Sequence, residues 1–231
     1  MCKKRVLILL AALLTTSVQA NEKQIYWGDT HLHTNRSFDA FTNRNFSVGP
    51  DEAYRFARGL PVEHPGRKAR VQLETPLYFL VVSDHAEFLG AVRHVYNEGL
   101  PTNGLGWGQK IKLWYSKYLI RDAIKTGNGR EFFYSQLPDP YDTPQEAVSE
   151  WEKNIGTSVF PKMPVIEDKA WSHIADAAEA NNMPGEFSAI LGLEYSLIPG
   201  GANLHRVVMT DLDGESVKAF QPFGSDDSMY P

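Results

Sequence analysis

Cysteine is almost absent: the 231 residues contain one, Cys2. It lies in the opening Met1-Cys2-Lys3-Lys4-Arg5, ahead of an apolar run from Val6 to Leu14 and the tail Thr15-Thr16-Ser17-Val18-Gln19-Ala20. A charged start, a short apolar core and small residues at 18 and 20 read as a secretory signal cut after Ala20, not as a membrane span. The mature chain from Asn21 then has no thiol, which excludes a disulfide framework, a cysteine nucleophile and thiolate ligands, and a periplasmic or secreted location follows. Positive charge is also scarce, with 23 Lys and Arg against 28 Asp and Glu; losing Lys3, Lys4 and Arg5 leaves 20 against 28, a formal net of −8. So acidic a domain is unsuited to gripping nucleic acid non-specifically. There is no second apolar run of membrane length, no repeat and no low-complexity tract. With 42% apolar and 12% aromatic residues overall, residues 21–231 suffice for one domain with a sizeable core.

What is present begins with Gly28-Asp29-Thr30-His31-Leu32-His33-Thr34. The approach from Ile25 is β-prone, and strand side chains alternate faces, so His31 and His33 point the same way. Two imidazoles on one face with Asp29 nearby make half a ligand shell for zinc, manganese or iron, although a pair of hydrogen-bonded strand histidines would read the same.

A helix is expected from Pro50, with Asp51 and Glu52 in its first turn, a stripe at Ala53, Phe56, Ala57 and Leu60, and Gly59 as its stop. Val62 to Thr75 reads as a solvated connection holding His64. Leu77 to Val82 is a continuous apolar run, as in a strand buried on both faces, and it ends in Ser83-Asp84-His85. A helix from about Ala86 to Asn97 follows, with His94 off its apolar stripe. Residues 102–164 form a helical insertion with aromatics at Trp114, Tyr115 and Tyr118 and a capping-box start at Thr143-Pro144-Gln145-Glu146. It either covers a site or packs alongside the core. Glu167 to Asn181 is again helical, with His173 beside its stripe. Ser188 to Leu193 reads as a third buried strand, ending in Glu194, and Leu204 to Met209 as a fourth, beginning with His205.

Ligand types therefore collect at strand ends: His31 and His33, Asp84 and His85, Glu194, and His205. In α/β folds such ends converge. Imidazoles with a carboxylate able to bridge suit two or more divalent cations, which acidify a water and clamp phosphoryl oxygens.

Asp29-x-His31-x-His33-Thr34, Ser37-x-Asp39-Ala40, Ser83-Asp84-His85 and Gly192-Leu193-Glu194 resemble motifs of the PHP (polymerase and histidinol phosphatase) superfamily. Ser83-Asp84-His85-Ala86-Glu87-Phe88-Leu89-Gly90 with Asn203-Leu204-His205-Arg206 is similar to a long, uncharacterised, often secreted branch of it. The resemblance implies a distorted (βα)7 barrel carrying a two- or three-metal centre that hydrolyses a small-molecule phosphate ester. It implies metal ligands at His31, His33, Asp39, His85, Glu194 and His205, with Glu194 as the bridge. Asp84 would orient a neighbouring ligand. Arg206 would meet a substrate phosphate bidentately or pair with a local carboxylate. Members take further ligands from their last barrel strands, and no such motif follows Met209. The expectation is an N-terminal portion of a longer protein, with an incomplete barrel, an apolar strand edge and weak metal binding. An amidohydrolase-type enzyme shares His-x-His but wants a bridging lysine where Glu194 stands. A non-catalytic metal-binding module is the third reading. Oligomeric state does not follow from the sequence.

Overall fold

The computed structural model describes residues 23–100, 106–135, 163–197 and 204–225, with residues 142, 143, 145, 146 and 149. The segment read as a secretory signal, the helix expected through Val148 and Trp151, the turn expected at Pro199-Gly200-Gly201, Asn203 and the tail beyond 225 lie outside the described residues.

The chain runs β1 (Gly28–Leu32), α1 (Phe38–Thr42), α2 (Pro50–Ala57), β2 (Val62–Glu63), β3 (Arg70–Val71), β4 (Phe79–Val82), α3 (Ala91–Asn97), α4 (Trp107–Thr126), α5 (Gly129–Tyr134), α6 (Pro164–Asn181), β5 (Ser188–Leu197), β6 (Leu204–Thr210) and α7 (Gly214–Val217). This is a mixed α/β fold about a curled four-stranded sheet of order β1-β4-β5-β6, resembling half of a barrel. β1, β4 and β5 are parallel, whereas β6 returns antiparallel along β5.

Side-chain alternation gives the sheet two different faces. On one, Leu80, Val82, Leu191 and Leu193 pack against Ala53, Tyr54 and Ala57 of α2 and Ala170, Trp171, Ile174, Ala177 and Ala178 of α6. Small residues on α6 let it lie close to the strands, and the Trp171 indole N–H donates to Val217 O at 3.1 Å. By alternation Val81, Gly192, Glu194 and Ser196 face the other way. A second cluster joins Phe38 and Phe41 of α1, Val92 and Val95 of α3, and Ile120 and Ile124 of α4.

Several expectations meet the structure intact. α2 starts at Pro50 behind Gly49, whose N–H donates to Glu52 Oε2 at 2.9 Å, and Gly59 follows it at φ +71°. Its deepest residue, however, is Tyr54, because the side toward the sheet is rotated from the expected Phe56 and Leu60. In the insertion, the Glu146 N–H donates to Thr143 Oγ1 at 3.2 Å, the cap the sequence predicts.

Three expectations are corrected. The helix foreseen from Ala86 begins at Ala91: Ala86 N–H donates to Glu194 O, Gly90 N–H to Arg36 O, and Phe88 and Gly90 take positive φ, so these residues extend the sheet and then turn. The third strand does not stop at Leu193 but runs through Glu194 to Leu197, because β6 pairs with it over that length. The connection from Val62 to Thr75 contains the short β2-β3 hairpin.

Gly192 marks a tight point in the middle of the sheet. A Cβ there would lie 2.5 Å from Val81 Cγ1 and 2.9 Å from Val208 O. Gly192→Ala is therefore expected to destabilise by about 1–3 kcal/mol, the range for overpacking, as read from urea unfolding midpoints. An unchanged midpoint would show that β4 and β6 yield freely there.

Candidate metal centre

The face turned away from α2 and α6 collects the ionisable groups. His31 sits in β1, and His33 follows just beyond Leu32, where Ser83 N–H donates to Leu32 O and prolongs the β1–β4 ladder. His85 lies past β4, bridged in parallel to Glu194. Ser196, two residues beyond Glu194 on the same face, is in register with His205.

Four imidazoles surround the Glu194 carboxylate. His31 Nε2 and His205 Nδ1 stand 3.1 Å and 2.7 Å from Oε1, and His33 Nε2 and His85 Nδ1 stand 2.8 Å and 3.3 Å from Oε2. Both carboxylate oxygens and His33 Nε2 are buried, yet none has a partner in hydrogen-bonding geometry. Unpartnered buried polar atoms cost about 1–3 kcal/mol each, so a cluster of them points to something that fills the gap. The donor set divides into three overlapping groups, each compact enough for one cation: His31, His33 and Glu194; His33, Asp39 and His85; and His85, Glu194 and His205. Nitrogen and carboxylate oxygen ligands without thiolates fit zinc, manganese or iron, and Glu194 is common to two groups.

Around these ligands, further groups set ring orientation. The His33 Nδ1–H donates to Asp39, with both carboxylate oxygens at 3.0 Å, which leaves Nε2 as the nitrogen facing Glu194. Asp39 Oδ1 also accepts from Ser37 Oγ and from Ala40 N. Asp39 thus orients His33 as well as standing in one ligand group, with Oδ2 3.9 Å from His85 Nε2. Ser196 Oγ lies 2.6 Å from His85 Nδ1, and Phe38 stacks on the His85 ring at 4.6 Å.

Burial disfavours charge on His33, but Asp39 and Glu194 outweigh it and lift its pKa to about 10. Burial pushes Asp39 and Glu194 up, and the surrounding histidines, His33 foremost, pull both well below the usual carboxylate range. In the metal-free protein His33 therefore carries a second proton. Metal uptake should expel it, so apparent affinity rises about tenfold per pH unit below pH 10 if one proton is exchanged. Chelator competition at several pH values checks this; a flat profile would show that no proton is displaced. The linkage sign follows: His33 is raised from 6.5 in the unfolded chain, so its stabilisation of the metal-free fold is complete below pH 6.5 and disappears toward pH 10.

Not all predicted residues join the cluster. Asp84 is buried beneath it, where its carboxylate accepts from Thr34 N and, at 2.7 Å, from Thr34 Oγ1. Burial raises it to about 6 against those two bonds. It anchors the turn after His33 to the end of β4. Asp29 accepts from His31 N at 2.9 Å and stands in none of the three donor groups. Arg206 neighbours His205 on a strand, so it lies on the opposite face, exposed and beside Tyr195 in register. His64, His94 and His173 stay apart, the last bridging Arg36 Nη2 at 2.9 Å and Asp51 Oδ2 at 3.0 Å.

Two contributors escape sequence reading. Glu87, buried, accepts from Ser196 N at 2.9 Å and Ser225 N at 2.7 Å, and its other oxygen is unpartnered 3.7 Å from His85 Nδ1. A charged residue between Ala86 and Phe88 was the available signal. Ser196 was recoverable from period-two spacing after Glu194, had the strand been drawn long enough.

A family model described as "Protein of unknown function (DUF3604)" matches residues 20–231. No curated protein and no solved structure matches the chain.

Proposed function

The chain belongs to the DUF3604 family, and we propose that it is a metal-dependent hydrolase of phosphate esters whose centre is built on Glu194. The observation that carries the reading is a buried carboxylate ringed by four imidazoles without hydrogen-bond geometry. His31, His33, His85, His205, Glu194 and Asp39 would hold two or three divalent cations. When bound, such cations supply Lewis acidity and a water acidic enough to attack phosphorus near neutral pH.

The residues themselves divide the work. Glu194, fully buried, keeps its negative charge between the imidazoles and ties two ligand groups together. Asp39 and Ser196 hold the rings of His33 and His85 in place. The rim is open, with the side chains of His31, Asp39 and His205 47%, 39% and 28% exposed, while His85 is 4% exposed. A purely structural site closes its coordination shell, whereas a site wet on one side admits water and an ester. The reaction consumes one water and returns an alcohol and inorganic phosphate. The PHP-type motifs support a barrel of that superfamily around the centre, and the leading segment supports a secreted or periplasmic setting.

The test pairs elemental analysis of the protein and of His31→Ala with a screen of generic phosphate esters. Divalent metal that falls in the variant, together with ester hydrolysis that falls with it, is the expected result. Metal without any turnover would favour a binding module, and equal metal in both proteins would return His31 and His33 to ordinary strand histidines.

A further inference from the structure

Helix α4 uses one side and leaves the other uncovered. Ile120 and Ile124 are buried against α1 and α3. On the far side Trp107, Ile111, Trp114, Tyr115 and Tyr118, spaced three and four apart over the first turns, are all more than half exposed, Trp107 at 84%. Large apolar side chains contiguous on a helix face normally mark a contact surface. Trp114 and Tyr118 stack at 6.3 Å and 19°, so the two rings form a flat platform.

Charge narrows the occupant. α4 carries Lys110, Lys112, Lys117, Arg121 and Lys125 against a single acid, Asp122, in a chain whose formal net charge is −5. Lys110, Lys117 and Lys125 have no ion pair among the described residues; the first two lie along one edge of the aromatic stripe and Lys125 continues its line beyond Tyr118. A second copy of the chain would set this basic helix against its like, so self-association through the face is repelled. An anionic surface is attracted. Trp and Tyr rings seat at the level of lipid headgroups, and lysine stems lie along apolar surface while their ammonium groups stay in water.

We propose that α4 is an interfacial helix by which the protein docks on an anionic membrane surface, with the stripe from Trp107 to Tyr118 entering the headgroup layer and the flanking lysines meeting lipid phosphates. No helix of the described residues is long and apolar enough to cross a membrane, so the contact is peripheral.

Flotation of the whole protein with vesicles tests this. Vesicles of phosphatidylcholine with about 30% phosphatidylglycerol should carry the protein up, pure phosphatidylcholine should not, and about 0.5 M salt should release it, because exposed charges are then screened. Each basic residue near such a surface is worth about fivefold in partitioning, so Lys110→Glu with Lys117→Glu should lower it about 25-fold or more. Trp107→Ser with Trp114→Ser should lower it too and remove the blue shift of tryptophan fluorescence on binding. Circular dichroism and metal content should match the parent in both variants, since these positions lie outside the ligand cluster. Absence of binding to anionic vesicles, equal binding to both vesicle types, or parental binding by the folded variants would overturn the proposal. Retention on immobilised polyglutamate without vesicle binding would overturn it in favour of an acidic protein partner.

Discussion

Glu194→Gln is expected to release most of the bound metal, lowering affinity by at least about 100-fold, with little change in shape. Loss of a residue that only orients a ligand costs 10–100-fold, and Glu194 is itself shared by two ligand groups. The amide keeps the volume but presents an uncharged oxygen and an NH2 to the imidazoles that now stand 2.7–3.3 Å from a carboxylate. A second reading separates loss of a ligand from loss of fold. Without the Glu194 charge, His33 loses one of the two carboxylates that raise it, so its pKa in the metal-free protein should fall from about 10. Histidine NMR titration measures that shift, and calorimetry or mass spectrometry of the eluted metal measures the first effect. Full metal occupancy in a folded Glu194→Gln protein would remove Glu194 from the centre.

Trp171→Ala should produce the largest loss of stability. The indole is buried at the middle of the α6 contact with the sheet and α7, and it satisfies Val217 O. Truncating a buried aromatic costs about 3–5 kcal/mol, from lost transfer free energy and the cavity left behind. At about 2–4 °C per kcal/mol for a domain of this size, the melting temperature should drop by roughly 6–20 °C. The metal ligands lie on the opposite face of the sheet, so metal stoichiometry well below the new melting point should match the parent. A drop of only a degree or two would mean that α6 repacks into the space.

Both results depend on the same property of the sheet, that adjacent residues along a strand face opposite layers. The property also explains which sequence readings held. His31 and His33 share a face because they stand two positions apart on a strand, and both reach Glu194. The same rule, applied to β6, puts Arg206 on the side away from His205, and the role in phosphate contact expected of it lacks that footing. Asp84 was visible as a polar residue at the end of an apolar run. Which of the two adjacent residues, Asp84 or His85, would turn into the cluster depended on the path after β4, and the extended segment through Ala86 directs His85 inward while Asp84 anchors Thr34.

Local composition alone determined the four long strands, the start of α2, the buried stripe of α6 and the supply of imidazole and carboxylate donors, because helix starts, period-3.6 stripes and donor groups are properties of short stretches. It could not determine that β6 returns antiparallel, carrying His205 to the same end as His85, or that Glu87 and Ser196 stand behind His85. The contacts of His85 and Glu87 with Ser196 join segments more than 100 residues apart. Their geometry is set when the apolar faces of the strands and helices are buried together, and only that packing decides which polar groups are left facing one another.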